Sequence, residues 1–259
     1  VALPFVGYYV AASSDAFLIR KIEVSGTKRT NADDVREAAR KVAGTRLLGT
    51  NLEAVRASVA ASPYVQSATV VRVLPDTLRV TLVEREPAVV VRLGNGRLAW
   101  ADKDGHVLEE FKPERGVVPP PLSGFDDADT TDRAMAENRD RIATYAALQT
   151  ALAEGDLWDR LDEVDIKYLK DVKVRLADNG VVVRLGDGDY RTRLITALSL
   201  LDAVKRGDTE MLARYRVPDI GKLLASADAI GTVDVTRSNG AVSIVISNGR
   251  SGQTEAKRN

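Results

Sequence analysis

The side chains that could do chemistry are few, and their spacing limits what they can do. Glu84 and Glu86 flank Arg85 at the end of an alternating run, VRVLPDTLRVTLVEREPAVVVRL from Val71 to Leu93, in which Pro87 closes the charged block. Paired carboxylates divide acid and base roles when their environments separate their pKa values. On an extended chain Glu84 and Glu86 share one face while Arg85 takes the other. Pro87 cannot donate to a strand ladder and holds its predecessor extended. The block therefore reads better as the seam where a strand leaves one domain for the next than as an acid–base pair. His106 is the single histidine and sits beside Asp104-Gly105, in a tight turn that suits a solvated or structural role. With no cysteine and one histidine, a zinc site would need carboxylates at helical spacing, and none stand so. Gly186-Asp187-Gly188-Asp189 lacks the spaced acidic ligands and closing Glu of a calcium loop. Gly94-Asn95-Gly96 has no helix directly after it, so it is a hairpin turn rather than a phosphate loop. These residues point to no enzyme, no metal and no cofactor.

Charge and composition narrow the partners. The 259 residues carry 37 Lys plus Arg against 37 Asp plus Glu. A protein that neutralises many phosphates carries a basic excess, so nucleic acid is not the expected partner. With 44% hydrophobic and 29% charged residues, the chain is too apolar for disorder and long enough for two domains. Val1 to Ala12 (VALPFVGYYVAA) is uncharged and apolar apart from two tyrosines. It is shorter than the roughly 20 residues a spanning helix needs and lacks the basic leader of a signal peptide. Tyr8 and Tyr9 suit a membrane–water interface. Two readings stay open on the segment alone: the outer end of a transmembrane helix that starts upstream, or a buried N-terminal strand.

The elements that must position these residues follow from patterning. Phe17 to Val24 is strand-like. Thr30 and Asn31 offer helix caps, with Asp33 and Asp34 favouring the dipole and Val35, Ala38, Ala39 and Val42 at helical spacing. A second short helix starts at Asn51, with Leu52, Val55 and Val59 on one face. Strands at Ser67–Val73 and Thr77–Val83 meet at the Pro75-Asp76 tip, so the first domain reads β-α-α-β-β. Beyond Pro87 come strands at Val89–Leu93 and Leu98–Ala101, then Val107-Leu108 and a Pro- and Gly-richer loop, Pro113 to Gly124. A helix over Asp132–Ala153 presents Ile142, Tyr145, Gln149 and Leu152. Strands follow at Val164–Lys167, Val172–Leu176 and Val181–Leu185, then a helix over Tyr190–Lys205. A less regular helical stretch covers Thr209 to Ala229, and a final pair of strands covers Thr232–Thr236 and Ala241–Ser247. The tail after Gly249 is polar and expected to be disordered. The fold class is α+β: a β-α-α-β-β domain, then a β-rich domain with a mostly antiparallel sheet and packed helices.

In this order the residues resemble the FtsQ/DivIB family of bacterial cell-division proteins. The resemblance rests on Pro63-Tyr64-Val65 after a helix, Leu74-Pro75-Asp76 at a hairpin tip and Glu84-Arg85-Glu86-Pro87. It is extended by Asp102-Lys103-Asp104-Gly105, VVVRLGDGDYRTRLITALSLLD and VDVTRSNGAVSIVI, and it covers Phe17 to about Ser247. It implies a POTRA domain over residues 17–86 and an FtsQ-type β-domain over 87–249. Residues 1–16 then form the outer end of a single transmembrane helix with its linker, and 250–259 a disordered tail. Glu84, Arg85, Glu86 and Pro87 become the hinge between the domains. Two departures stand out: Thr236-Arg237 replaces the family's Arg-Tyr, and Arg206 to Ile230 is longer than the usual connection.

The resemblance implies a non-enzymatic scaffold of the division machinery. It would be anchored in the cell membrane by one span, with most of the chain outside the cytoplasm at the division septum. The implied partners are FtsB and FtsL, which regulate septal peptidoglycan synthesis. Strand addition to an exposed sheet edge is the expected mechanism, at Ala241, Val242, Ser243, Ile244, Val245, Ile246 and Ser247. Val242, Ile244 and Ile246 should face the core and Ser243, Val245 and Ser247 the outside, with Arg237 as a charged rim contact. The competing readings are another POTRA-containing envelope assembly or secretion protein and a carboxylate-based peptidoglycan-acting enzyme.

Overall fold

A computed structural model describes residues 15–113, 118–236 and 242–246. The expectations for Val1 to Ala12 and for the tail fall outside these residues, as do Arg237, Ala241 and Ser247. Among the described residues no helix is long and apolar enough to cross a membrane. The chain divides into two compact units after Pro87, each with its own buried apolar cluster.

The first unit runs β1 (Lys21–Ser25), α1 (Ala32–Ala43), α2 (Leu52–Ala60), β2 (Val65–Val73) and β3 (Thr77–Glu84). Its sheet order is β1-β3-β2, with β1 parallel to β3 and β2 antiparallel to it. Asn31 and Asn51 cap the two helices, accepting from the backbone N–H of Asp33 and Ala54. The helices bury Val35, Ala39, Val55 and Val59 against Ile22, Leu78, Val80 and Leu82 of the sheet. The strand expected from Phe17 starts only at Lys21. Before it, Leu18 bridges to Arg46 and the Ile19 N–H donates to the Thr45 carbonyl at 2.9 Å. The chain is thus tied to the α1–α2 connection before it joins the sheet.

The second unit is a nine-stranded sheet with helices. Its elements are β4 (Pro87–Arg92), β5 (Leu98–Asp102), β6 (Val107–Glu110), β7 (Leu122–Ser123), α3 (Asp132–Leu152), β8 (Leu161–Asp165), β9 (Val172–Leu176) and β10 (Val182–Gly186). After them come α4 (Tyr190–Arg206), α5 (Thr209–Arg214), α6 (Ile220–Ala225), β11 (Ile230–Asp234) and β12 (Ser243–Ile246). The order is β12-β11-β10-β9-β8-β7-β4-β5-β6. The sheet is mixed: β4–β7, β7–β8 and β10–β11 are parallel, while β5–β6, β8–β9, β9–β10 and β11–β12 are antiparallel. Strand alternation sends Val172, Val174 and Leu176 of β9 into the core and leaves Lys173 and Arg175 on the other face.

β8 starts three residues earlier than the strand expected at Val164–Lys167, and two further details depart from the sequence reading. β7 lies in the stretch expected to be loop, where its two residues join β4 to β8. Gly124, at φ +87, follows it closely enough to Lys167 that a Cβ would sit 2.5 Å from the Lys167 backbone. On α3 the buried face is Asn138, Ile142, Tyr145, Leu148 and Leu152, and Gln149 is exposed. The Tyr145 ring meets Trp158 edge-on at 5.2 Å, and its hydroxyl donates to the Pro120 carbonyl at 2.7 Å. Burial raises the Tyr145 pKa further above the ordinary phenol value.

Candidate partner-binding edge

Among the described residues, four of β12 pair with β11. The register sets Ser243 against Asp234, Ile244 against Val233, Val245 against Thr232 and Ile246 against Ile230, with an irregularity between Ile230 and Thr232. Val242 is buried at 4% exposure, and Ile244 and Ile246 pack partly buried against the same core. Val245 is 54% exposed. β12 ends the sheet order, so among the described residues no strand pairs with its outer side. No charged side chain stands on it.

The segment 206–230 had no role on sequence grounds, and the fold gives it one. Asp208 caps α5 by accepting from the Met211 N–H at 3.0 Å. Left-handed backbone at Arg216 and Asp219 turns the chain from α5 into α6. Leu212, Val217 and Leu223 are buried in the second unit's core. This brings the Tyr215 carbonyl to the Val242 N–H, which donates to it at 3.1 Å. The entry to β12 is therefore fixed by a main-chain bond from outside the sheet. The Gly186-Asp187-Gly188-Asp189 run is a strapped turn: Arg193 donates to the carbonyls of Leu185 and Asp187. Gly186, at φ +69, faces Thr236, whose methyl would lie 3.0 Å from an added Cβ. Among the described residues no group of His, Cys, Asp and Glu is arranged to hold a metal.

Behind this edge the polar face of the sheet carries a run of ion pairs. Glu163 meets Arg92 at 3.1 Å and Arg175 at 3.4 Å, and it accepts from the Ser123 hydroxyl. Lys173 reaches Asp171 at 3.4 Å, Arg184 pairs with Asp171, and Arg184 reaches Asp234 at 3.2 Å. Burial pushes the Glu163, Asp171 and Asp234 carboxyls up. For Glu163 this is outweighed by Ser123, Arg92 and Arg175, and for Asp171 by Arg184 and Lys173. For Asp234 it is outweighed by the Thr236 hydroxyl and N–H and then by Arg184. All three end below their ordinary values. The run ends on β11, and β12 beside it presents Ser243 and Val245.

The acid–base candidate lies in the first unit and is already engaged. Glu84 accepts from the backbone N–H groups of Lys28 at 2.9 Å, Arg29 at 2.8 Å and Thr30 at 3.0 Å. Burial raises its pKa, but these donors, Arg29 and Thr30 foremost, hold it below the ordinary value. Glu86 pairs with Lys28 at 3.1 Å in solvent, and the Arg85 N–H donates to the Tyr64 carbonyl at 2.7 Å. Glu84 thus closes the loop before α1. His106 is half-exposed beside Asp102, whose buried carboxylate accepts from the N–H groups of Asp104 and His106. Sequence reasoning placed Asp102 in an Asp-x-x-Gly turn but missed the fully buried Asn138, which exchanges bonds with the Asp126 backbone.

Two family models match this architecture in order. Residues 17–85 match the POTRA domain, FtsQ-type, and residues 88–235 match Cell division protein FtsQ/DivIB, C-terminal. The chain belongs to the FtsQ/DivIB family. Among its relatives, Cell division protein FtsQ of Anaeromyxobacter sp. (strain K) is 30% identical over 224 residues, 83% of this chain and 74% of the relative. That of Syntrophotalea carbinolica is 29% identical over 241 residues, 85% of this chain and 80% of the relative. FtsQ of Corynebacterium glutamicum is 35% identical over 112 residues, 43% of this chain and 49% of the relative. Membership in the FtsQ family gives this chain a part in cell division. The family match ends at residue 235, and β12 lies past it.

Proposed function

We propose that this chain is a non-enzymatic, membrane-anchored scaffold of the division machinery that takes a partner strand onto the outer side of β12. The observation that carries this reading is an uncharged terminal strand with Val245 exposed, pinned at its entry by the Tyr215 carbonyl. An edge offers unpaired N–H and C=O groups to an extended segment, and side-chain contacts then set specificity. FtsB- and FtsL-type proteins are the partners proposed from the family resemblance. Arg237, Ala241 and Ser247, outside the described residues, are proposed as further partner contacts. The apolar, uncharged composition of residues 1–12 supports an anchor at this end of the chain, with both units proposed to lie outside the cytoplasm. Glu84, Arg85, Glu86 and Pro87 are proposed as the hinge after the first unit. Engagement of Glu84 by three backbone donors supports a structural rather than a catalytic carboxylate.

Prolines test the edge. Successive N–H groups of an edge strand point alternately into and out of the sheet. Ser243→Pro and Val245→Pro therefore probe one set and Ile244→Pro the other. One set should cost fold stability. The other should leave a folded protein that loses co-purification with FtsB–FtsL, the lost bond alone contributing about 1 kcal/mol. If every folded proline variant co-purifies as well as wild type, strand addition at β12 is wrong.

A further inference from the structure

The first unit carries a groove beside its core. Leu18, Ile19 and Ile22 supply aliphatic surface from the run into β1, and Arg20 and Arg40 stand on its rim, in a space of about 410 Å³ closed by the turn after α1. That size suits a few side chains of a bound segment. β1 is an outer strand of its sheet, so its flank has no strand neighbour among the described residues.

The arginines make the groove specific. Elsewhere in this unit Arg36, Arg56 and Arg79 each pair with a carboxylate, Asp33, Glu53 and Glu23 in turn. Arg72 gives its donors to the carbonyls of Leu47 and Thr50. Arg20 and Arg40 are exposed and have no carboxylate partner among the described residues. Arg40 stands in the last turn of α1, where a cation suits the helix dipole. Arg20 has no such duty. Two guanidiniums on one groove repel each other, and an anion between them relieves that.

We propose that this groove binds an extended segment of a partner protein in which an aliphatic side chain stands within two positions of a carboxylate. The aliphatic group enters among Leu18, Ile19 and Ile22, and the carboxylate meets Arg20 and Arg40, where guanidinium geometry favours it. The open flank of β1 suits an extended backbone. Residues 1–14 of this chain contain no carboxylate, so they lack the complementary charge. The site is independent of β12, and neither stands or falls with the other.

The probe is a phage-displayed random heptapeptide library panned on the full chain, with the Arg20→Ala/Arg40→Ala variant as the comparison. Both side chains are exposed, so the variant should keep the wild-type thermal midpoint. The expected result is enrichment of heptapeptides that place Asp or Glu within two residues of Val, Ile or Leu. Their affinity should fall at least ten-fold on the variant, and equally when the acid is changed to its amide. No enrichment, enriched peptides without an acid, or equal binding to the variant would overturn the proposal. Self-association lost in the variant would assign the groove to a second copy, and binding seen only after deletion of residues 1–14 would assign it to the chain's own leader. Either result also overturns it.

Discussion

The nine-stranded sheet ends differently on its two sides. β6 has four residues, Val-Leu-Glu-Glu, and an irregularity between Ala99 and Ala101 in its pairing with β5. Adjacent carboxylates and a broken register are the devices by which a sheet edge repels another strand. β12 also has four residues, Ser-Ile-Val-Ile, with no charge. The ion pairs that run along the sheet stop one strand short of it, at Asp234. Among the described residues one edge is blunted, and the other has no strand on its outer side and is held at its entry by the Tyr215 carbonyl. The contrast favours β12 as a surface for a partner, because an open apolar edge with no use is an aggregation hazard.

The largest expected effect comes from removing the support of the open edge. Leu212 is fully buried beneath the segment that fixes Val242, and Leu212→Ala should cost about 2–5 kcal/mol. Denaturant unfolding should show the loss in the second unit, with the first unit's transition unchanged. Exchanging the character of the edges comes next. Val245→Glu should remain as stable as wild type to within about 0.5 kcal/mol, since Val245 is exposed, yet weaken FtsB–FtsL binding at least ten-fold in a pull-down titration. Equal binding would break the contrast.

Acid gives a smaller effect. The Asp234 carboxyl is held below its ordinary value of 3.8. A depressed carboxyl contributes stability that is fully present above that value and is lost as pH falls through the folded-state pKa. Stability should therefore be unaffected by this group down to about pH 5 and decline below pH 4. Asp234→Asn should lower neutral-pH stability by about 1 kcal/mol and flatten the acid limb of a midpoint-against-pH series. An unchanged acid limb would remove Asp234 from the bracing of β11. The smallest change in stability is expected for Glu109→Val/Glu110→Val, again within about 0.5 kcal/mol. Its signature is self-association in sedimentation, because the charges that blunt β6 are gone.

What could be read from the sequence followed local rules. The caps at Asn31 and Asn51, the Pro75-Asp76 hairpin and the alternation of β3 and β12 depend on neighbours a few residues away. The misses depended on distant ones. β7 is two residues long, and its pairing with β4 and β8 leaves no periodic trace. Leu148 replaced Gln149 on the buried face of α3 because a 3.6-residue period admits either position until the packing partner is known. Asn138 is buried by virtue of the Asp126 backbone it serves. The engagement of Glu84 by residues 28–30 joins the two ends of the first unit, which spacing along β3 does not reveal. For the edge, the sequence carried the uncharged strand, but the Tyr215–Val242 bond needed the fold.

Amide hydrogen exchange on the complex tests strand addition most directly. The full chain would be compared with and without FtsB–FtsL. Pairing at the open edge predicts slowed exchange for the outward-pointing amides of Ser243–Ile246, while Val107–Glu110 of β6 exchanges as in the free protein. Unchanged exchange across β12 in a saturated complex, or new protection confined to β6, would contradict it.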